Sequence, residues 1–372
     1  MRGYSLMRIA GIRVLIDPSW LFIFFMVVWS LATGYFPETE PPVRGPWAWT
    51  LGVVAALLLF ASVLVHELSH AVLAKRAGIA VPRIRLFLFG GVSEMASEPQ
   101  SPAVEVRIAA AGPLTSFGVA ALFFVLTLTG LPSIVYGGRN VTDYLAGINL
   151  LLGLFNLLPG FPLDGGRILR AWLWSRRGDL LSATRTAGRS GSFVGFGLMG
   201  LGLVQLVAAR NLAGIWMILI GLFLHQAAGA GYETLLFREA LSGFSVRQLM
   251  SQPVITVPDH ASLEELAQDY FFRHPRGSFP VASGNLFAGM VSLEQLKSVP
   301  RDEWVRTPVR RIMTPAASIT PLGPDDDVVT ALEAMVRGDT GRLPVVAGGR
   351  IIGILSRRDV MRLFKIRSDL GS

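Results

Sequence analysis

The sequence predicts a mainly α-helical fold, in which a bundle of about six transmembrane helices is followed by a C-terminal α/β domain. Hydrophobic residues make up 51% of the 372 residues and charged residues only 16%, a composition too apolar for an ordinary soluble chain. Several long segments of the N-terminal part contain no Asp, Glu, Lys or Arg. The C-terminal part is soluble in composition and contains an internal repeat, which predicts a second domain.

Six apolar segments predict the membrane spans, since about 20 apolar residues suffice to cross the hydrocarbon core. The sixth segment follows the fifth after a short break at residues 209–211, which predicts a tight helical hairpin. The first five are residues 18–37, 46–65, 108–138, 144–163 and 190–209, and the sixth runs from 212 to 224 and on through 227–230.

The basic residues predict the orientation, because Lys and Arg are enriched in cytoplasmic loops. With the N-terminus in the cytoplasm, the outer loops contain only Arg44, Arg139 and Arg210, and the inner segments contain the other basic residues of the membrane part. We therefore expect a multi-pass protein of the inner or plasma membrane with its C-terminal domain in the cytoplasm. The N-terminus shows no signal-peptide cleavage pattern. The net charge of +8 favours contact with membrane lipids and not with nucleic acid.

The soluble part contains two similar units. VRQLMSQPVITV, beginning at Val246, matches VRRIMTPAASIT at Val309, and Pro280 and Pro344 occupy the same place in the two repeats. Each unit is expected to contain a helix, a strand, a Gly-containing turn, a second strand and a final helix. We predict a membrane domain at 1–232, a linker at 233–243, and two modules at 244–302 and 303–372.

The second apolar span ends in His66-Glu67-Leu68-Ser69-His70. Residues four apart share one face of a helix, so both imidazoles can bind one zinc ion. Glu67 would then lie beside the water that the ion activates, as its general base. Ionisable groups at membrane depth are costly and typical of functional sites. The alternative is a helix end that emerges into the cytoplasmic headgroups.

A carboxylate is the expected third ligand, because the chain has no cysteine and His260 and His274 belong to the soluble part. Asp164 lies in NLLPGFPLDGGR, where the prolines prevent a regular helix. Irregular backbone at membrane depth is tolerated where it lines a cavity or is buried in protein. The alternative is that Asp164 caps the helix that follows.

HELSH in one apolar helix and NLLPGFPLDGGR at the end of a later one resemble the site-2 protease family of intramembrane zinc metalloproteases. The resemblance is to the prokaryotic branch with C-terminal tandem CBS modules, and Phe89-Gly90-Gly91 and Ala111-Gly112-Pro113 also fit it. It implies that His66, His70 and Asp164 bind one Zn²⁺, that Glu67 is the catalytic base, and that Asn156 orients the substrate or stabilises the oxyanion. Asn156 can equally be a polar packing residue between spans.

The same resemblance implies the substrates, which would be single-span or tail-anchored membrane proteins cut by regulated intramembrane proteolysis. A helical substrate must unwind locally before its peptide bond can be attacked. The strand-like segment from Arg83 to Met95 is expected either to offer an edge strand to the unwound substrate or to pack the bundle as a re-entrant loop.

Residues 244–368 resemble a pair of CBS modules, which implies a regulatory or homodimerisation domain and an adenine nucleotide bound between the modules. Ser356 and Asp359 fit the spacing of ribose-contacting residues, whereas the first module has Ser292 without the matching Asp. Asp359 can also be a cap of the last helix.

Two other functions remain open from the residues alone. A membrane transporter gated by CBS modules would explain the spans and the repeat but not the HExxH motif. An inactive membrane scaffold is the third possibility.

Overall fold

The computed structural model describes residues 4–211, 213–274, 277–338 and 340–370. The chain divides into two compact units, Met1–Glu233 (unit 1) and Thr234–Ser372 (unit 2). Unit 1 is a helical bundle with one small sheet, and unit 2 contains both repeats. The mainly helical membrane fold with a C-terminal α/β domain is therefore confirmed.

Long helices make up most of unit 1, as expected for apolar segments that must satisfy their backbone groups internally. α1 (Ser19–Ser30) continues through a π-helical turn (Leu31–Tyr35) into the short α2 (Phe36–Glu38). The others are α3 (Pro46–Arg76), α4 (Pro102–Leu128), α5 (Gly138–Asn156), α6 (Asp164–Arg177), α7 (Leu180–Val207) and α8 (Ala213–Leu241), with a 3₁₀ turn at Leu131–Ile134 between α4 and α5.

Among the described residues, five helical segments are long and apolar enough to cross a membrane: Ser19–Glu38, Pro46–Arg76, Pro102–Leu128, Leu180–Val207 and Ala213–Leu241. The predicted span 144–163 corresponds to α5, which is not among these five. α5 is a 19-residue helix that begins before the expected segment, takes in Arg139 and Asp143, and ends at Asn156, before the prolines of the following loop. It packs against α3 and α4, while Leu150, Leu151 and Leu154 of the same helix are exposed.

The sheet of unit 1 contains four strands in the order β1 (Tyr4–Ile9), β2 (Ile12–Ile16), β3 (Arg83–Phe87) and β4 (Gly90–Glu94). β1–β2 and β3–β4 are antiparallel hairpins, and β2 pairs with β3 in parallel. Ala10 (φ 49) and Gly11 (φ 78) form the first turn, and two positive φ values are typical of type I′ hairpins. β4 lies at the edge of the sheet, as expected for a strand that could pair with another chain.

α7 and α8 pack closely, in agreement with the predicted hairpin. Three pairs of small residues face each other along them: Gly188 with Ala228, Gly195 with Gly221, and Gly202 with Gly214. A β-carbon at Gly195 would lie 2.7 Å from the Gly221 carbonyl oxygen. Small residues of this kind let transmembrane helices approach each other backbone to backbone.

Unit 2 contains two apolar cores, and each is completed by the opening segment of the other repeat: Val246 lies in the core of the second repeat and Val309 in that of the first. Both repeats show the expected pair of antiparallel strands followed by a helix. The elements are α9 (Val246–Leu249), β5 (Val257–Pro258), α10 (Leu263–Glu265) with a π-helical turn (Leu266–Phe271), β6 (Ser278–Ser283), β7 (Leu286–Ser292), α11 (Leu293–Lys297), β8 (Thr314–Pro315), α12 (Val328–Arg337), β9 (Arg342–Ala347), β10 (Arg350–Ser356) and α13 (Arg357–Leu370).

Candidate metal centre and active site

Three buried side chains of unit 1 converge on one point. His66 Nε2, His70 Nε2 and Asp164 Oδ2 lie 3.2 Å from one another in all three pairs. The residues are only 4%, 4% and 8% exposed. In the described part of the chain, these three residues form the group of His and acidic side chains that could hold a metal ion. The structure therefore brings together the three residues that the sequence selected as ligands.

Local sequence explains how Asp164 reaches the histidines. Asp164 is the first residue of α6, and the cap position before it is occupied by Leu163, which makes no side-chain cap bond. A β-carbon at Gly165 would collide with the carbonyl of Leu157, and one at Gly166 would collide with Gly160. The two glycines thus let α6 begin directly against the loop after α5. Asp164 faces the imidazoles and does not act as the helix cap.

Each imidazole is held through its other nitrogen. His70 Nδ1 lies 2.7 Å from the carbonyl oxygen of Ile108, and His66 Nδ1 lies 2.9 Å from Ser116 Oγ. A carbonyl only accepts hydrogen bonds, so Nδ1 of His70 carries the proton and Nε2 of the neutral ring presents its lone pair. Metal-binding histidines are usually fixed in this way.

The spacing of these three atoms suits a zinc ion. The centre of a triangle with 3.2 Å sides lies about 1.8 Å from each corner, close to the ~2.0–2.1 Å of zinc–nitrogen bonds. Two histidines and one carboxylate are also a known catalytic ligand set for zinc.

One face of α4 closes the centre on the other side. Ile108, Gly112 and Ser116 are four residues apart, so they share a helix face. A β-carbon at Gly112 would collide with Nε2 of both histidines. The sequence analysis noted Gly112 but missed Ile108 and Ser116. Their regular spacing around Gly112 was the available signal.

A cavity of about 220 Å³ adjoins the centre and is lined by His66, Glu67, His70, Asn156 and Asp164 together with residues 90–93 of β4. Glu67 Oε2 accepts a hydrogen bond of 2.9 Å from Ser93 Oγ. A β-carbon at Gly91 would collide with the Glu67 side chain. The side-chain amide of Asn156 donates to the carbonyl of Leu152 in its own helix at 3.0 Å. Asn156 thus lies at the cavity, with one of its side-chain N–H groups bonded to its own helix.

The cavity is also lined by Phe89 and Arg167, which belong to motifs quoted from the sequence but were given no role there. The ring of Phe89 stacks on Phe223 of α8, with centroids 4.2 Å apart. This contact is between residues distant in sequence, and no local pattern indicates it.

The nucleotide residues predicted in unit 2 are bonded to each other. The side chains of Ser356 and Asp359 are 2.5 Å apart, and each accepts a bond from the backbone N–H of the other. This is the reciprocal pattern of a capping box at the start of α13. A cavity of about 920 Å³ in unit 2 is lined by residues of both modules. Among them are Ser292 and Gln295, the first-module equivalents of Ser356 and Asp359, and Thr340 and Pro344 of the second module.

Comparison with known proteins agrees with these observations. The profile of peptidase family M50 matches residues 54–136 and 131–199, and that of the CBS domain matches 246–301 and 309–366. Rip3 of Mycobacterium tuberculosis, whose name describes a zinc metalloprotease, is 38% identical over 96% of this chain and 92% of its own length. Zinc metalloprotease MJ0392 of Methanocaldococcus jannaschii is 32% identical over 84% of this chain and 85% of its own.

Among solved structures, a site-2 protease from Methanocaldococcus jannaschii is 30% identical, with a TM-score of 0.45, over 62% of this chain and 95% of that one. The matched family profiles and the curated relatives show that the chain belongs to peptidase family M50, the site-2 protease family, as a membrane zinc metalloprotease with a C-terminal pair of CBS domains.

Proposed function

We propose that this protease hydrolyses peptide bonds of membrane-spanning substrates at the centre formed by His66, His70 and Asp164. These three residues bind one Zn²⁺, and Glu67 is the general base. The observation that carries the proposal is the triangle of ligand atoms with 3.2 Å sides. Its two histidines and the neighbouring Glu67 lie on α3, an apolar helix long enough to cross a membrane. Single-span or tail-anchored membrane proteins are the substrates.

The residues around the centre have separate tasks in this reaction. Held by His66, His70 and Asp164, a zinc ion would supply Lewis-acid chemistry: it would polarise the scissile carbonyl and lower the pKa of water toward ~7. Glu67 takes the proton of the attacking water and passes it to the leaving nitrogen, as a general base and then acid. Ser93 holds the Glu67 carboxylate in place through its 2.9 Å bond. Asn156 lies at the cavity and orients the substrate carbonyl with its remaining amide hydrogen.

The test of this function compares purified wild type with Glu67→Gln and Asp164→Ala in detergent, using bound zinc and cleavage of a single-span substrate as readouts. We expect Glu67→Gln to keep its zinc and to lose activity by about 10²–10⁴-fold, the usual contribution of a general base. Asp164→Ala should lose both metal and activity.

Other outcomes would overturn the proposal. Full zinc occupancy and turnover in Asp164→Ala would remove the third ligand. Ion flux across vesicles without cleavage would favour a CBS-gated transporter, and neither activity would favour a membrane scaffold.

We further propose that β4 binds the unwound substrate as an added strand. β4 is an edge strand, residues 90–93 line the cavity, and Gly91 allows β4 to lie against Glu67. An extended peptide can pair with such an edge through its main chain. The test uses a series of substrates, each N-methylated at one residue beside the scissile bond. Methylation at every second residue should slow cleavage, because only alternate N–H groups face the partner strand. Equal rates at all positions would contradict strand pairing.

The membrane orientation proposed from the basic residues can be tested by labelling single introduced cysteines, since the chain itself contains no cysteine. Ile134, which is 81% exposed, and the exposed Asp325 of unit 2 are suitable positions. In intact cells, an impermeant thiol reagent should label Ile134→Cys and not Asp325→Cys. The reverse result would place the N-terminus and the CBS pair outside the cytoplasm.

A further inference from the structure

One face of α4 contacts both parts of the metal centre. Ile108 and Ser116 hold the two imidazoles that project from α3. Glu105, one turn before Ile108 on the same helix, contacts α6 instead. α6 is the helix that begins with Asp164. The three proposed ligands thus come from two separate helices, and α4 touches both.

The contact between α4 and α6 is a buried ionic cluster. Glu105 is 0% and Arg170 6% exposed. Arg170 Nε donates to Glu105 Oε1 at 2.7 Å, and Arg170 Nη2 donates to the same oxygen. Nη2 also donates to Glu98 at 3.0 Å, and Arg167 Nε lies 3.9 Å from Glu105. The carboxylate of Glu105 is therefore shared between two arginines of α6.

Arg170 also fixes the segment that precedes Asp164. Its guanidinium lies over the ring of Phe161, 5.2 Å from the centroid. Phe161 and Arg170 stand on either side of Asp164 in sequence, three and six residues away. One side chain thus connects α4, α6 and the loop after α5.

Stability alone does not account for this cluster. A buried ion pair loses hydration on folding, and replacing one with apolar residues of similar volume is often neutral or stabilising. Glu105 Oε2 has no hydrogen-bond partner among the described residues, so the cluster is not even fully satisfied. What the pair does provide is position, because Arg170 Nε and Nη2 both donate to Oε1 of Glu105 and so fix where that oxygen lies relative to the guanidinium.

We infer that the Glu105–Arg170 pair positions Asp164. The pair fixes α6 on α4, so that the carboxylate of Asp164 stays within reach of the two imidazoles. Asp164 and Arg170 are six residues apart on α6, less than two helical turns. A shift of α6 along α4 would move Asp164 away from His66 and His70. The inference rests on the proposed metal site and adds to it the residues that set its geometry.

The experiment uses the full-length protein in detergent and measures metal binding directly. The test variant is Glu105→Met/Arg170→Met, which keeps the volume and removes the directional bonds. Readouts are the dissociation constant for zinc, the visible absorption spectrum of the cobalt-substituted protein, and the thermal midpoint. Arg139→Gln/Asp143→Asn, which removes an exposed ion pair of α5, is the control.

We expect the test variant to keep a thermal midpoint close to that of wild type, to bind zinc about 10–100-fold more weakly, and to show a changed cobalt spectrum. The control should match wild type in all three. A folded variant with wild-type affinity and spectrum would overturn the positioning role.

Glu105→Gln serves as a milder second variant, since it keeps an acceptor oxygen for Arg170. A smaller loss of zinc affinity in a folded protein supports the inference. If both variants unfold, the pair is a stability element and the inference fails. The proposed function fails separately, if wild type binds no metal or Asp164→Ala binds it as wild type does.

Discussion

At the residue scale, both nitrogens of each imidazole have a partner. Nε2 faces the metal centre, and Nδ1, on the other side of the ring, contacts a residue of α4. His70 donates to a backbone carbonyl and His66 contacts Ser116. The HExxH motif predicts the two imidazoles, because their type and spacing are local. The carbonyl of Ile108 could not be predicted, since every residue type carries one and only packing selects it.

Removing the hydroxyl beside His66 should weaken the metal site. In Ser116→Ala the ring of His66 loses its partner at Nδ1, and we expect zinc affinity to fall about 10–100-fold, as for other partners of metal ligands. Ser62→Ala is the control, because Ser62 is also buried and lies on α3 one turn from His66, but it donates to Leu58 and accepts from Asn149 instead of contacting a histidine. Equilibrium zinc binding with a competing chelator measures both. Equal losses in the two variants would contradict a specific role for Ser116.

Gly112 should tolerate no side chain. A β-carbon there would collide with both imidazoles, so Gly112→Ala should lose bound zinc and proteolysis while the helices still form. Gly118→Ala on the same helix has open space at the β-carbon and should behave as wild type. Metal content of the purified proteins decides the comparison, and a zinc-loaded Gly112→Ala would show that the rings can move aside.

At the element scale, the length of apolar segments predicted the positions of most long helices. α5 differed because it is less apolar than the expected segment: it takes in Arg139 and Asp143 and ends at Asn156. Its buried Asn149 is tolerated because the side chain donates to Ser62 of α3. β1 and β2 were not predicted, since their sheet is completed by β3 more than 60 residues later in the chain. Strand pairing over such a separation leaves no local signal.

The small-residue contacts between α7 and α8 give a prediction at this scale. Gly195→Ala places a methyl group 2.7 Å from a carbonyl oxygen and 3.0 Å from the backbone nitrogen of His225, and overpacking typically costs about 1–3 kcal/mol. The thermal midpoint should therefore fall by several degrees.

Gly197 on the same helix provides the matched control. Its β-carbon position is open, so Gly197→Ala should leave the midpoint unchanged or raise it slightly, because alanine favours helix by about 1 kcal/mol. A greater loss in Gly197→Ala than in Gly195→Ala would show that the helices do not pack as described.

At the scale of the whole molecule, the repeat predicted the CBS pair because two copies of one pattern are visible without any tertiary information. The ligand site of that pair was harder to predict. Ser356 and Asp359 satisfy each other at the start of α13, whereas the large cavity lies at the first-module Ser292. We propose that the pair is a regulatory or dimerisation domain that binds an adenine nucleotide, and the two places can be compared directly.

Nucleotide binding should raise the thermal midpoint of the full-length protein, since a ligand stabilises the state that binds it. We expect ATP or AMP to produce this shift in wild type. If the ribose is bound at Ser356 and Asp359, Asp359→Asn abolishes the shift and Ser298→Trp, which fills the other cavity, leaves it intact. The opposite pattern assigns the nucleotide to the Ser292 cavity, and no shift in wild type contradicts nucleotide binding.

The edge position of β4 has a consequence for which proteins are degraded. Main-chain groups are common to all residues except proline, so recognition by an edge strand discriminates weakly between side chains. The choice of cleavage site then depends on how readily a segment leaves its helix, and glycine or asparagine near the scissile bond should matter more than any consensus motif. With the proposed pairing to β4, we therefore expect substrates to be chosen by how easily their helices unwind, so that many unrelated proteins could be cleaved.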